Sequence, residues 1–251
     1  MKPDAASPMP FRSVREGELF TTEGGTETEI MFKCGFELPQ FAMYPLLDDP
    51  EAVDVLDGMY RRYLAVAERH GLSVLLGGLD YRASPDWGSL IGYSAEGLAD
   101  MQHRSIGFLR DMAAKHGDGV PRILIGGLIG PRGDAYELNR TITAAEAEDY
   151  HAIQLGTLRA AEVDFACAMT FNNVEEAIGV VRAARAAGVL DSGQARQARQ
   201  GLSAAPGATR RRAHPPPCRT TAHRAPPRSA SARSVPARAY DRCAHCPRCC
   251  P

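Results

Sequence analysis

Residues 18–29 read Glu-Leu-Phe-Thr-Thr-Glu-Gly-Gly-Thr-Glu-Thr-Glu, an apolar run that passes directly into glycine and acidic residues. The run Glu18–Thr22 predicts a short β-strand. Gly24 and Gly25 predict a tight turn after it, because glycine adopts backbone angles that other residues avoid. The segment therefore predicts a strand whose carboxyl end delivers polar side chains to a site.

Three further units of the same kind follow, each a short apolar run and then a longer amphipathic stretch. The predicted later strands are residues 72–78, 122–127 and 163–169. A helix is predicted after each of these runs and after the first one, with residues that mark its start or its end. The start and end signals are Asp49-Pro50 and Gly71, Ser94 and Gly117, and Asn173 and Gly188, and Thr143 with Glu146 forms a capping box at the start of the remaining helix. The body of the chain therefore consists of about four strand-and-helix units.

Consecutive units of this kind predict an α/β fold with a parallel sheet. Two architectures offer one, a doubly wound sheet and a (β/α)8 barrel of the TIM type. Each predicted strand ends in glycine and polar residues, and the active site of a barrel is built at the carboxyl ends of its strands. The pattern favours a partial (β/α)8 barrel, since four units are half of the eight that a barrel requires.

The composition changes abruptly after Leu190. Residues 191–251 contain 12 Arg against 2 Asp, a net charge of about +10, which leaves about −11 for the rest given the total of −1. This segment has nine Pro and almost no large aliphatic residues, so it predicts a disordered basic tail. We divide the chain into an N-terminal extension (1–17), a domain (18–190) and this tail (191–251).

The tail permits two interpretations. An Arg/Pro/Ala/Ser/Cys mixture without Lys, Ile or Phe is typical of a GC-rich coding sequence read out of frame, which would replace a fifth strand. A basic arm that binds nucleic acid is the rival, but it is not expected, because the tail has a single aromatic residue, Tyr240, for stacking on bases.

Composition also bears on compartment. No segment approaches the roughly 20 apolar residues that span a bilayer, and Met1–Arg15 lacks the order of a signal peptide. The domain contains only Cys34 and Cys167, which fits a reducing environment, so we expect a cytoplasmic protein without a membrane partner. Cys167 is predicted to be a small core residue of the fourth strand.

Four motifs together resemble the homocysteine S-methyltransferase family, the homocysteine-binding domain, over about residues 18–190. Glu23–Glu29 resembles its Asp-Gly-Gly-Thr-Gly-Thr-Glu signature, and Tyr81–Ser84 its Tyr-Gln-Ala-Ser/Thr. Gly130–Gly133 resembles its Gly-Pro-Tyr-Gly, and Asp164–Thr170 its Asp-Leu-Leu-Ala-Cys-Glu-Thr. The resemblance implies a (β/α)8 barrel that transfers a methyl group from a sulfonium or ammonium donor to the thiol of homocysteine.

The resemblance also implies the site. Glu23 and Gly24 would contact the substrate, together with Tyr81 and Thr170, and zinc held by three cysteines would bind the thiolate. Gly78 stands where the family has Thr, and Met169 where it has a second carboxylate. The family's zinc cysteines follow later strands that this chain does not match. The tail residues Cys246, Cys249 and Cys250 are the remaining candidate ligands, in a context that lacks the family's Gly-Gly.

Two alternatives therefore stay open beside a zinc-dependent methyltransferase acting on a small thiol and a methyl donor. In the first alternative, the chain would be a catalytically inactive, truncated or frameshifted fragment, which would self-associate through open sheet edges. Alternatively it is a different barrel enzyme, with Gly78 and Met169 marking an altered substrate. Trp87, in the loop after the second strand, would line a donor pocket or cover the rim of the barrel.

Overall fold

The computed structural model describes residues 18–137 and 141–189. The predictions for the N-terminal extension and for the tail, including disorder, a shifted reading frame and candidate cysteine ligands, concern residues outside these ranges. The described elements are, in order, β1 (Phe20–Thr22), α1 (Thr26–Phe32), α2 (Pro50–His70), β2 (Ser73–Gly77), α3 (Pro85–Leu90), α4 (Ala95–His116), β3 (Ile123–Ile129), α5 (Ala144–Ala160), β4 (Phe165–Ala168) and α6 (Val174–Ala186). Two short 3₁₀ helices, Pro39–Phe41 and Tyr44–Asp48, connect α1 to α2.

The four described strands form one parallel sheet in the order β1-β2-β3-β4. Spatial order follows chain order, so that Thr21 pairs with Val74 and Leu75 with Leu124. A doubly wound sheet reverses its strand order at a switch point, whereas a (β/α)8 barrel adds each strand beside the last. The described units are therefore part of a (β/α)8 barrel, which confirms the predicted fold class.

The predicted helix ends are confirmed at the residues that cap them. The Asp49 side chain accepts a hydrogen bond from the Glu51 N–H, and Gly71 ends α2 with a φ of 61°. Both halves of the Thr143–Glu146 capping box are present at the start of α5. Local side-chain chemistry thus fixes where the long helices begin and end.

The core lies between the sheet and the long helices α2 and α4. Its wholly buried side chains come from the helix faces turned toward the sheet and from the strands themselves: Leu56, Leu64, Leu76, Ile106, Leu109 and Ile129. The apolar spacing along α2 and α4 that predicted these helices is the spacing that fills this layer.

The third strand is longer than predicted. It continues through Gly126 and Gly127 to Ile129, where a loop was expected from residue 127. A Cβ at Gly126 would overlap the ring of Phe165, and a Cβ at Gly127 would overlap Leu158. These glycines therefore leave room for neighbouring side chains to pack against the strand, and Gly127 does not begin the loop that was predicted.

Two short helices were not predicted. α1 follows Gly25, whose φ is 63°, and it carries Glu27 and Glu29 in its first turn. α3 follows Ser84 and contains Trp87. Both have seven residues or fewer, too short for apolar periodicity to reveal them. Among the described residues, no helix has the length and apolarity needed to cross a membrane.

Candidate active site at the carboxyl edge of the sheet

A narrow pocket lies where β1 and β2 end, and we call it the carboxyl-edge pocket. Its polar lining residues are Glu23, Thr26, Glu27, Tyr60 and Tyr81. Phe41, Met43, Leu79 and Leu128 add apolar walls, and Gly77 and Gly78 form part of its surface on the β2 side. The pocket therefore combines two carboxylates with aromatic and aliphatic surface.

Glu23 is anchored by one carboxylate oxygen only. Its Oε1 accepts a hydrogen bond of 2.8 Å from the Gly77 N–H, and its Oε2 is buried without a hydrogen-bond partner. Burial raises the pKa of the Glu23 carboxyl, and the nearby Glu27 raises it further, against the lowering effect of backbone hydrogen bonds. A buried acceptor of this kind gains most from a ligand that donates a charged hydrogen bond.

Gly77 makes this arrangement possible. A Cβ on residue 77 would collide with Leu128 and stand 2.5 Å from Glu23 Oε1. The bare backbone lets the longer carboxylate of Glu23 reach across from β1 to β2. At Gly78, the position of the family's Thr, a Cβ would overlap Asp80 Oδ1, so the side chain of Asp80 occupies that space.

Asp80 is a buried acidic residue that the sequence reasoning missed. It has no exposed surface, its Oδ1 accepts from the Leu128 N–H at 2.9 Å, and its Oδ2 has no partner. Burial raises the pKa of Asp80 to about 7, in spite of hydrogen bonds that lower it. Its position between a glycine-rich strand end and Tyr81 gave a signal, but nothing in the sequence distinguishes it from a loop aspartate.

Tyr81 and Thr170 meet across the sheet edge. The Tyr81 hydroxyl lies 2.5 Å from Thr170 Oγ1, and Thr170 Oγ1 also donates to the Met169 carbonyl at 2.6 Å. The Thr170 proton is thereby committed to Met169, so Tyr81 is the donor of the shared bond. Thr170 has a φ of 61°, an unusual angle for a β-branched residue. The pair links the ends of β2 and β4.

The four predicted substrate contacts are therefore only partly brought together. Glu23 and Tyr81 line the carboxyl-edge pocket. Thr170 reaches it through Tyr81, and the Gly24 carbonyl accepts from the Tyr63 hydroxyl at 2.8 Å. Tyr60 and Glu27 also line the pocket, and neither was among the predicted substrate contacts.

The loop after β3 is held by a buried pair from the last two helices. Glu176 Oε1 accepts from the Arg132 N–H at 2.6 Å and lies 3.0 Å from His151 Nε2. Both side chains are fully buried, so His151 is a core residue. In the same region, Trp87 Nε1 donates to the Pro131 carbonyl at 3.4 Å. The indole thus joins the loops after β2 and β3.

The described residues do not fit a zinc site. No cluster of three or more His, Cys, Asp or Glu side chains within the described ranges could hold a metal ion. Cys34 is exposed on the loop after α1. Cys167 is half-buried in β4, so the prediction of a core position is wrong: the side chains of β4 are largely half-buried. Burial, with a contribution from Glu23, raises the pKa of its thiol.

Comparisons with known proteins agree with this fold. The family model for homocysteine S-methyltransferase matches residues 21–205, which extends beyond Leu190. Two similar crystal structures are those of the homocysteine methyltransferase MmuM from Escherichia coli. The metallated form has 16% identity and a TM-score of 0.53, covering 67% of this chain and 59% of that chain. The oxidized form has 18% identity and a TM-score of 0.52, covering 68% and 59%.

This chain spans about three fifths of the length of those two structures. No curated protein sequence matches it. At these identities the solved structures establish the fold, and the family model, which covers well over half of the chain, establishes the relationship. The chain belongs to the homocysteine S-methyltransferase family.

Proposed function

We propose that this chain binds homocysteine in the carboxyl-edge pocket as the acceptor for a methyl group. The family relationship supports the thiol substrate. The pocket supports an amino acid, because it combines carboxylates with an apolar wall that suits an aliphatic side chain. Glu23 is the residue that we assign to the substrate's ammonium group.

The observation that carries this proposal is the unpartnered Oε2 of Glu23. A carboxylate held by one oxygen, with the other buried and free of hydrogen bonds, is costly unless a ligand completes it. An ammonium group donates three hydrogen bonds and brings the opposite charge. Binding of the substrate amino group would therefore satisfy the acceptor that folding leaves open.

The proposed reaction is a direct displacement. The thiolate sulfur of homocysteine attacks the methyl carbon of a sulfonium or ammonium donor, forming a new S–C bond. The bond between that carbon and the donor atom breaks, and its electron pair leaves with a neutral thioether or amine. The thiol proton passes to solvent. The residues of this chain would bind and orient the substrate: Glu23 by charge, and Tyr81, held by Thr170, by shape.

Substitution of Glu23 by glutamine tests the proposal. Glu23→Gln keeps the size of the side chain and removes its charge, so we expect the affinity for L-homocysteine to fall by about 10- to 100-fold. The matched control is Glu29→Gln. Glu29 lies further along the chain in α1, pairs with Arg62 and does not line the pocket, so its loss should change the affinity by less than about threefold.

Isothermal titration calorimetry on the full chain measures both variants. Circular dichroism before each titration establishes that the variants are folded. Equal affinities of the wild-type and Glu23→Gln proteins, or an absence of homocysteine binding to the folded wild-type chain, would contradict the proposal.

A further inference from the structure

Arg82 is a buried arginine at the carboxyl edge of the sheet that the proposed function does not use. It follows Tyr81 in the loop after β2, and only 7% of its surface is exposed. Its guanidinium carbon lies 4.1 Å from the centre of the Trp87 ring and 5.2 Å from that of the Tyr81 ring. The charge is therefore held between two aromatic rings, beside a residue that lines the carboxyl-edge pocket.

The hydrogen bonds of this guanidinium are incomplete. Its Nε is buried without a partner, and its NH1 group donates one long bond of 3.4 Å to the Gly133 carbonyl. Arg82 forms no salt bridge with any residue in the described parts of the chain. The carboxylate on the same loop, Asp86, lies 2.8 Å from Arg132 Nε and is already paired.

A second stacked arginine shows what Arg82 lacks. Arg132 lies 4.7 Å from the centre of the Tyr150 ring, and it has both the aromatic contact and the carboxylate of Asp86. Arg82 is the more deeply buried of the two, and beside its aromatic contacts it has only the long bond to the Gly133 carbonyl and no carboxylate among the described residues. Removing a cation from water without an anion is unfavourable, and a cation–π contact offsets only part of the cost.

We propose that Arg82 is a binding site for the carboxylate group of a small-molecule substrate. A carboxylate would accept hydrogen bonds from Nε and the terminal nitrogens and neutralise the charge between the two rings. This inference rests on the proposed function for the identity of the ligand, which is either the amino-acid thiol or the methyl donor. Arg82 does not itself line the carboxyl-edge pocket, but the ring of Tyr81, which it contacts, does.

Trp87 provides a direct measurement, because it is the single tryptophan of the chain and contacts Arg82. We expect sodium acetate, titrated at constant ionic strength against sodium chloride, to change the tryptophan fluorescence saturably. Acetamide, which has the same shape without the charge, should produce no saturable change. This comparison uses only the wild-type chain and therefore does not depend on the folding of any variant.

Variants then assign the response to Arg82. Arg82→Gln should abolish the acetate response, and Arg82→Lys should weaken it by about tenfold or more, because lysine cannot form the two parallel bonds of a guanidinium. Arg104→Gln is the control: it removes the same charge, but Arg104 pairs with Asp48 on the surface and stacks on no aromatic ring in the described ranges. It should retain the wild-type response. No saturable response in wild type, or an unchanged one in Arg82→Gln, would overturn the inference.

Two ligand pairs identify the source of the carboxylate. L-homocysteine is compared with 3-aminopropane-1-thiol, and glycine betaine with choline, since the second member of each pair lacks the carboxylate. In one pair we expect the carboxylate to improve affinity about 10- to 100-fold in wild type and to have no effect in Arg82→Gln.

The two proposals fail separately. Homocysteine binding that depends on Glu23, with no carboxylate preference in either pair, would overturn the role of Arg82 and leave the proposed function standing. A saturable acetate response that requires Arg82, without thiol binding to the folded chain, would overturn the proposed function alone.

Discussion

At the scale of single residues, the site depends on glycines that leave room for neighbouring acidic side chains. Glu23 reaches the backbone of β2 only because Gly77 has no side chain, and Asp80 fills the space that a side chain at Gly78 would need. The result is two buried carboxyl groups, each with one oxygen fixed by a backbone N–H and one without a partner. The position of each carboxyl group therefore depends on the neighbouring glycine as well as on the acidic residue itself.

Asp80 predicts a specific dependence of stability on pH. Its carboxyl keeps its proton up to about pH 7 in the folded chain, whereas in the unfolded chain it loses the proton near its ordinary pKa of about 4. Between these values the folded state binds more protons, so the free energy of unfolding falls as pH rises. The Asp80 contribution is fully present below about pH 4 and is lost as pH rises through about 7.

Asp80→Asn should remove this dependence, since asparagine is neutral throughout and retains an acceptor for the Leu128 N–H. We expect the stability of the variant relative to wild type to rise by about 2 kcal/mol between pH 5 and pH 7, because the slope of about 1.4 kcal/mol per pH unit declines as pH approaches the folded pKa. Urea unfolding at several pH values measures it. Asp118→Asn, at an exposed position, is the control; parallel curves for Asp80→Asn and wild type would contradict the prediction.

At the scale of elements, the helices are fixed by local chemistry and the strands by their neighbours. The caps at Asp49, Thr143 and Asn173 lie where the sequence predicted them, because each uses a side chain and a backbone group within three residues. The end of β3 was wrong by two residues. Its glycines pair with β4 and accommodate Phe165 and Leu158, contacts that no local pattern contains.

The capping box of α5 offers a test at this scale. Thr143→Ala removes the side-chain acceptor for the Glu146 N–H and the hydroxyl that donates to its carboxylate, so we expect a loss of about 1 kcal/mol in the free energy of unfolding. Thr157→Ala is the matched control in the last turn of the same helix, where alanine has the higher helix propensity.

Urea unfolding of the two variants and wild type at one pH makes the comparison. The control should be neutral or stabilising by up to about 0.5 kcal/mol. A destabilisation of Thr157→Ala that equals that of Thr143→Ala would show that loss of the hydroxyl, and not of the cap, is responsible.

At the scale of the whole molecule, the described units form one side of a barrel. Within the described residues, β1 pairs only with β2, and β4 only with β3. The chain spans about three fifths of the length of the solved relatives. The predicted self-association through sheet edges concerns these two strands and stays a prediction.

Metal content is the corresponding test for the whole chain. Because Cys34 and Cys167 do not belong to any cluster of metal ligands in the described part, replacing both by serine should leave the zinc content of the purified full-length protein unchanged. Elemental analysis after dialysis against a zinc buffer measures it. A lower zinc content in the double variant would contradict the prediction. Cys246→Ser, Cys249→Ser and Cys250→Ser serve as the comparison for the tail.

The sequence by itself determined the fold class, the four repeating units, the ends of the long helices and the family. Apolar periodicity, caps and motifs are local properties of the chain, so they can be recognised before folding. It also pointed to Glu23 and Tyr81, which follow strands and therefore gather at one edge of a parallel sheet.

Only the tertiary structure decided which polar groups are left without partners. The orphaned oxygens of Glu23 and Asp80 and the unpaired guanidinium of Arg82 depend on contacts between residues far apart in sequence. Burial and pairing are properties of the assembled sheet, its loops and its helices. For that reason the chemistry of the site could be located from the sequence, but its charges could be assigned only in three dimensions.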